Sequence, residues 1–320
     1  MYVPGVTCLS PPAADNVIPR DESLGPRHKK WEEMVLREDA RRGSGAYVQS
    51  VSAARRDSES LDVDDHDRMT SKPPALQRSK VPEIIVLFWV VKLLTTAMGE
   101  ATSDYFVKII NPVVAVAIAG LILLGALVVQ FRADRYVPWK YWFAVVMVAV
   151  SGTMAADVLH IQFGVPYAVT TPFFAVVLAA VFIAWHRVEG TLSIHSIRTP
   201  RREVFYWLTV MATFALGTAL GDLTATTFHL GYLTSAVLFA ALIAIPIIGF
   251  WRFRMNEVLA FWFAYVLTRP LGASIADWLS KPHNVGGLNL GDGQVALGFT
   301  VLIVGFVAYL TITHTDEEPA

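Results

Sequence analysis

The chain has 320 residues, of which 54% are hydrophobic and 17% are charged. A mean hydropathy of +0.47 lies outside the usual range of soluble globular proteins and argues against a water-soluble enzyme. The formal net charge of −1 gives no indication of nucleic-acid binding. The single cysteine, Cys8, excludes an intramolecular disulfide framework and a thiolate metal cluster.

The first 80 residues differ chemically from the rest of the chain. They hold about half of all the charged residues in a quarter of the length, and they are poor in large aliphatic residues. Such a segment buries too little apolar surface to offset the entropy of ordering, so residues 1–80 are predicted to form a disordered cytosolic tail. Within it, residues 29–42 form either a short amphipathic helix that binds a membrane surface or a partner, or a transient solvated helix.

Residues 81–320 contain eight apolar runs of about 18 to 24 residues, the length needed to cross a hydrocarbon core of about 30 Å. The runs cover residues 84–106, 112–131, 138–159, 167–186, 204–227, 233–251, 257–279 and 294–313. We therefore predict an all-α integral membrane protein with eight transmembrane helices and with both termini on one side of the membrane.

Basic residues are distributed unevenly among the connections between these runs. Three alternate connections contain nine Lys and Arg residues, whereas the others contain only Lys108 and Lys281. The excess of positive charge predicts that the three basic connections and both termini lie in the cytoplasm. We expect a multi-pass protein of the plasma membrane, with the lipid bilayer around residues 81–320 and a cytosolic protein as a candidate partner of the tail.

One sequence pattern recurs four times: an aromatic residue, Trp, nine residues, Gly, four residues and Asp. Its members are Trp89, Trp142, Trp207 and Trp262, then Gly99, Gly152, Gly217 and Gly272, then Asp104, Asp157, Asp222 and Asp277. Each interval contains a second apolar run, so the unit is a helical hairpin, and the four copies run in the same direction. The predicted repeats cover residues 81–133, 134–188, 200–253 and 254–314, with pseudo-fourfold or two-plus-two symmetry.

These residues resemble a family of bacterial membrane proteins that consist of four tandem copies of a repeat of unknown function. Each copy in that family has two transmembrane segments and a characteristic Trp. The resemblance covers residues 80–314 and implies an eight-span protein of the bacterial inner membrane. It implies no particular chemistry.

Carboxylates inside predicted transmembrane helices are the strongest functional signal. Each costs about 3 kcal/mol on insertion scales, so it needs a partner, water or a proton. They are Glu100, Asp104, Asp157, Asp222 and Asp277. Each Asp follows its Trp by about 22 Å along the helix and about 60° around it, which allows the four to share one depth and face a common interior. Such an oxygen-rich cluster suits hard metal cations; alternatively, each Asp hydrogen-bonds a neighbouring helix near the outer surface.

Two basic residues lie in the same runs. Lys92 is predicted to extend towards the inner interface or to pair with a carboxylate, and Arg269 is predicted to pair with Asp277 or with an aspartate of another repeat. Five acidic residues against two basic ones leave the cluster negative, which favours cations over anions.

The repeated glycines and tryptophans have structural interpretations. Small residues allow helices to approach closely, so the four glycines are predicted packing positions, with local unwinding as the alternative. The four tryptophans are predicted to form an interfacial belt, with the lining of an inner vestibule as the alternative.

These features favour a secondary transporter that moves a cation through the aspartate cluster; a divalent ion such as Mn²⁺ or Mg²⁺, exchanged for protons, is one form of this hypothesis. The alternative is a membrane-anchored scaffold or sensor that acts through its tail and transports nothing. Nothing in the chain resembles a nucleophile elbow, a zincin helix or a nucleotide-binding loop, so we expect neither an enzyme with catalytic residues nor a resident cofactor.

Overall fold

The computed structural model describes residues 79–317, with the exception of the side chain of Ile161. The predicted disordered tail up to residue 78 and its amphipathic stretch at residues 29–42 lie outside the described residues. Ser79 and Lys80, which the sequence assigns to that tail, are both buried.

The described part of the chain contains eight long α-helices and no strand. The helices are α1 (Val86–Ile109), α2 (Pro112–Phe131), α3 (Pro138–Ile161), α4 (Tyr167–Glu189), α5 (Pro200–Asp222), α6 (Tyr232–Phe253), α7 (Glu257–Ser280) and α8 (Asp292–Thr313). A π-helical turn, Leu223–Thr227, extends α5. The all-α prediction is confirmed, and the apolar runs agree with these bounds to within a few residues.

Local sequence signals explain where these helices begin and end. Proline occupies the first turn of α2, α3 and α5, where its missing N–H costs nothing because that group would have no partner within the helix. The side chains of Asn111 and Thr199 accept hydrogen bonds from the first backbone N–H groups of α2 and α5. Gly190 follows α4 with a φ of 70°, a left-handed conformation that favours glycine.

Among the described helices, seven are long and apolar enough to cross a membrane. The exception is α1, which carries four charged residues along its length: Lys92, Glu100, Asp104 and Lys108. This set of long apolar helices is compatible with a multi-pass membrane protein.

The first helix of every repeat belongs to an inner ring. Helix α1 packs against α3, α3 against α5, α5 against α7, and α7 back against α1. Buried residues make up 67–72% of the most apolar stretch of α3, α5 and α7 but only 17–28% in α2, α4, α6 and α8. The inner helices are parallel, because contacts join corresponding positions: Phe88 with Trp142, and Ser103 with Asp157.

The outer helices connect successive repeats. Each second helix packs chiefly on the first helix of the next repeat: α2 on α3, α4 on α5, and α6 on α7. Helix α8, the second helix of repeat four, lies against α1. The last repeat therefore closes the ring on the first.

The four repeat glycines lie where neighbouring inner helices are in close contact. The contacts are Gly99 with Ala149, Gly152 with Phe214, Gly217 with Arg269, and Gly272 with Thr96. A methyl group on any of these glycines would come within 2.6–2.8 Å of the Cβ of that neighbour. The neighbour is always the residue three positions before the next glycine of the pattern, so the packing follows pseudo-fourfold symmetry rather than a two-plus-two arrangement.

Aromatic side chains fill the ring axis at one end, which we call the aromatic end. It is built from four buried residues, Phe88, Tyr141, Tyr206 and Phe261, and the hydroxyls of the two tyrosines are hydrogen-bonded to each other. The repeated tryptophans pack around these rings, and three of them, Trp142, Trp207 and Trp262, are buried. Burial against other rings differs from the expected interfacial belt, whose tryptophans would be exposed at the surface of the helices.

Candidate functional site

Beyond the aromatic end, the ring axis contains charged residues at three successive depths. The first depth lies seven residues before the repeat glycines, the second lies next to the glycines, and the third lies five residues after them. The third depth, with the four aspartates, is called the carboxylate end below.

At the first depth, Lys92 is fully buried between aromatic rings. Its Nζ lies 4.1 Å from the ring centre of Tyr265 and 4.6 Å from that of Phe214. No residue in the described part of the chain forms a hydrogen bond with this Nζ. The sequence predicts that Lys92 extends to the inner interface or pairs with a carboxylate, but in the structure it does neither, because its ammonium group is enclosed by rings. The equivalent positions in repeats two and three are valines, Val145 and Val210, so the ring offers no carboxylate at this depth.

At the second depth, Arg269 connects all four inner helices. From α7, its Nη2 donates hydrogen bonds to Glu100 Oε2 in α1 at 2.7 Å, to Thr218 Oγ1 in α5 at 2.7 Å, and to Thr153 Oγ1 in α3. The three acceptors are equivalent residues, each directly after its repeat glycine. The Arg269 guanidinium thus lies across the middle of the axis.

The partner of Arg269 is Glu100 rather than the expected Asp277 or another aspartate. Arg269 precedes Asp277 by eight residues, which is about 12 Å along a helix. Glu100 precedes Asp104 by one turn and therefore lies nearer the depth of the guanidinium. Both side chains are buried, so each charge compensates the other in a low-dielectric environment.

At the carboxylate end, the acidic residues of the ring come together. Oxygen atoms of Glu100, Asp104 and Asp277 lie within 4.8 Å of one another. Asp157 is buried and accepts a hydrogen bond of 3.2 Å from Ser103 Oγ. Asp222 is half-buried, and it interacts electrostatically with Glu100, Asp104 and Asp157. Of the five predicted carboxylates, Glu100, Asp104 and Asp277 thus converge, whereas Asp157 and Asp222 lie outside this group of three but near enough to interact with it electrostatically.

Sequence analysis missed one residue of this cluster, Lys281. It follows α7 directly, and its Nζ donates a hydrogen bond to Asp104 and lies 3.5 Å from Asp277 Oδ1. Burial disfavours the charge of Lys281, but the Asp277 and Asp104 carboxylates outweigh this effect and raise the pKa of the ammonium group. The available signal was the spacing of four residues between Asp277 and Lys281, which places them on one side of the helix.

The cluster has more negative than positive groups. Its five carboxylates face two basic side chains, Arg269 and Lys281, which belong to repeat four, whereas Glu100 and Asp104 belong to repeat one. The carboxylates that come closest therefore meet where the ring closes between α1 and α7. The hydroxyls of Ser274 and Ser280, three residues before and three residues after Asp277 in the sequence, are buried without a hydrogen-bond partner among the described residues. Carboxylate and hydroxyl oxygens are the ligands that hard cations prefer.

The fold and this cluster define a class of protein: a helical repeat protein with several long apolar helices and charged residues buried on its axis. The model of the family described as Repeat of Unknown Function (DUF347) matches the chain four times, at residues 87–136, 140–191, 205–256 and 260–316. The chain belongs to this family. No curated protein and no solved structure matches it. The resemblance to a family with four tandem repeats is confirmed, and each match contains one inner and one outer helix.

Proposed function

We propose that the protein is a secondary transporter that carries a cation along the ring axis, with Glu100, Asp104, Asp157, Asp222 and Asp277 as its binding groups. A divalent ion such as Mn²⁺ or Mg²⁺ is the favoured cargo. The protein acts as a transporter rather than as an enzyme, and it needs no resident cofactor. The observation that carries this proposal is the convergence of carboxylate oxygens from Glu100, Asp104 and Asp277 within 4.8 Å.

The balance of charge supports a cation as cargo. Arg269 and Lys281 compensate only two of the five carboxylates, and buried charges without compensation are costly. A divalent cation would supply most of the missing positive charge. The carboxylate and hydroxyl oxygens favour hard ions over soft ones.

The position of Lys281 supports a cycle in which the site is alternately empty and loaded with a cation. Its ammonium group lies between Asp104 and Asp277, so it acts as a tethered cation that a free cation must displace. A half-buried side chain on a connection can move away without unfolding α7. Displacement of Lys281 thus links binding of the cargo to a movement at the carboxylate end.

Protons compete with the cargo for the same oxygen atoms. Carboxylates crowded at this distance repel one another when all are ionised, so either a proton or a metal ion relieves the repulsion. Release of a proton when the cation binds would couple the two movements, as a gradient-driven exchanger requires.

Transport also requires that the two ends of the axis open in turn. The guanidinium of Arg269 and the packed rings of the aromatic end both interrupt the axis. We place the aromatic end in the cytoplasm of a bacterial inner membrane and the carboxylate end outside, because the basic connections are those at the aromatic end.

The test uses the full chain reconstituted in liposomes that contain a fluorescent Mn²⁺ chelator, with a pH gradient across the membrane. We expect Asp104→Asn and Asp277→Asn to lower the initial rate of Mn²⁺ entry by about tenfold or more, because each removes a ligand. Lys281→Met should instead lower the Mn²⁺ concentration that gives half the maximal rate, because it removes the competing ammonium group. A gain in apparent affinity cannot result from misfolding.

Asp292→Asn is the matched control. Asp292 lies at the same end of the molecule, but it belongs to an outer helix and pairs with the exposed Lys108 at 2.5 Å. Its substitution should leave the rate unchanged. Entry of Mn²⁺, Mg²⁺ and Ca²⁺ no faster than into protein-free liposomes would refute the proposal, and so would wild-type rates in both aspartate variants.

A further inference from the structure

A short segment before the first helix, residues 79–85, runs over the aromatic end; we call it the strap. Its backbone is hydrogen-bonded to the connection between α2 and α3, to the connection between α4 and α5, and to the end of the described chain. Lys80 N donates to Ile197 O at 3.0 Å, and Tyr136 N donates to Ser79 O at 2.8 Å. Further along, the N–H of Glu83 donates to the carbonyl oxygen of Asp316 at 2.9 Å. Three separate parts of the chain therefore hold the strap in place.

A buried ion pair anchors the strap to the ring. Lys80 Nζ lies 2.8 Å from Glu203 Oε2, and the side chain of Glu203 is fully buried. The other carboxylate oxygen of Glu203 accepts a hydrogen bond of 3.0 Å from Gln130, which also donates to the carbonyl oxygen of Lys80 at 3.3 Å. Lys80 Nζ in turn donates to the carbonyl oxygen of Phe131 at 3.2 Å. Each charged group of the pair thus has a second partner.

The positions of the two partners show that the strap crosses the ring. Lys80 lies five residues before the N-cap of α1, whereas Glu203 lies in the first turn of α5. In the ring, α1 packs on α3 and α7, so α5 is the helix opposite α1. The strap therefore extends from the start of α1 to the start of the opposite inner helix, α5, at the aromatic end.

The apolar part of the strap is buried at the aromatic end. Val81 is buried in the same hydrophobic cluster as Phe88, Tyr141 and Tyr206, three of the four rings of the aromatic end. Tyr136, which is hydrogen-bonded to the strap, has its ring centre 5.6 Å from that of Tyr141. The strap therefore packs at the aromatic end beside these rings.

We infer that the strap is a gate at the aromatic end and that the pair of Lys80 and Glu203 holds it shut. The inference rests on the proposed function, since a gate matters only to a protein with a passage. Separation of the pair would leave the Glu203 carboxylate buried without its cation, which favours the closed state.

The test measures release of the strap and does not depend on transport. In full-length protein with Cys8→Ser, a single cysteine is placed at Val81, a buried residue of the strap itself, so that its labelling reports how often the strap opens. A membrane-impermeant thiol reagent is applied to membrane vesicles at the face that carries the aromatic end. We expect Lys80→Met to raise the rate of labelling by about tenfold or more, because the strap opens more often.

A second variant separates gating from misfolding. Lys80→Met combined with Glu203→Gln removes both charges and leaves no buried carboxylate unpaired, so it should keep the wild-type thermal midpoint while the labelling remains fast. Arg201→Met is the control, because it breaks the exposed pair of Arg201 with Glu189 near the same end. Its labelling should stay slow.

Two results would overturn the gate. One is a folded double variant that is labelled at the wild-type rate; the other is a control variant that is labelled as fast as the double variant. Failure of the proposed function would appear separately, as absent ion entry in liposomes with the labelling pattern intact.

Discussion

Lys92 and Arg269 lie on the same axis, but their charges have different partners. Arg269 donates hydrogen bonds to Glu100 and to two threonine hydroxyls, whereas the ammonium group of Lys92 faces the rings of Phe214 and Tyr265. Ring faces compensate a buried charge only in part. Lys92 is therefore expected to reduce the stability of the fold, and Arg269 is expected to support it.

Replacement by methionine should have opposite effects at these two positions. Lys92→Met keeps the length of the side chain and removes the buried charge, so we expect it to raise the free energy of unfolding by about 1 kcal/mol or more. Arg269→Met leaves Glu100 buried without its cation, and we expect a loss of about 3–5 kcal/mol. Denaturant unfolding of the purified proteins measures both changes. A decrease for Lys92→Met would mean that its contacts with the rings outweigh the cost of burying its charge.

At the scale of the helices, the close approaches at the repeat glycines determine the width of the ring. Gly99 faces Ala149, and an added methyl group would lie 2.9 Å from the backbone carbonyl carbon of that residue, which cannot rotate away. Gly120 in the outer helix α2 has no atom within 4 Å of the equivalent position. The two glycines therefore allow a matched comparison within one fold.

Gly99→Ala should destabilise the protein by about 1–3 kcal/mol, because α1 and α3 must move apart. Gly120→Ala should be neutral or stabilising by up to about 1 kcal/mol, because alanine favours the helix and meets no neighbour. Thermal unfolding in detergent compares the two variants. Equal effects would show that helix propensity, rather than inter-helix distance, determines the result.

At the scale of the whole molecule, the ring is closed by contacts between the last repeat and the first. Helix α8 lies against α1, and the closest carboxylates meet where α7 and α1 pack together. Parallel inner helices place every connection between the repeats at the aromatic end and every connection within a repeat at the carboxylate end. If the protein spans the membrane in a single orientation, as proposed above, each connection lies on one defined side.

Labelling of single cysteines tests this arrangement in cells. With Cys8→Ser as background, Arg254→Cys in the connection between α6 and α7 should react only from the cytoplasm, and Asn284→Cys in the connection between α7 and α8 only from outside. Both positions are exposed, so access should not limit the reaction. Reaction of both from the same side would contradict the arrangement, and the reverse assignment would contradict the proposed orientation.

The sequence by itself determined the features that depend on local spacing. Runs of apolar residues gave the helix bounds, and the recurrence of Trp, Gly and Asp gave the four repeats, because a helix converts intervals along the chain into depth and angle. The same geometry predicted that the aspartates could lie at one end of a shared interior.

Only the tertiary structure decided which groups meet. Glu100 and Arg269 are 169 positions apart, and Lys80 and Glu203 are 123 positions apart, so no periodicity along the chain relates them. The packing of each outer helix on the next repeat and the passage of the strap across the ring are likewise contacts between distant segments. Their physical basis is the shared burial of charge and apolar surface, which exists only after the helices have assembled.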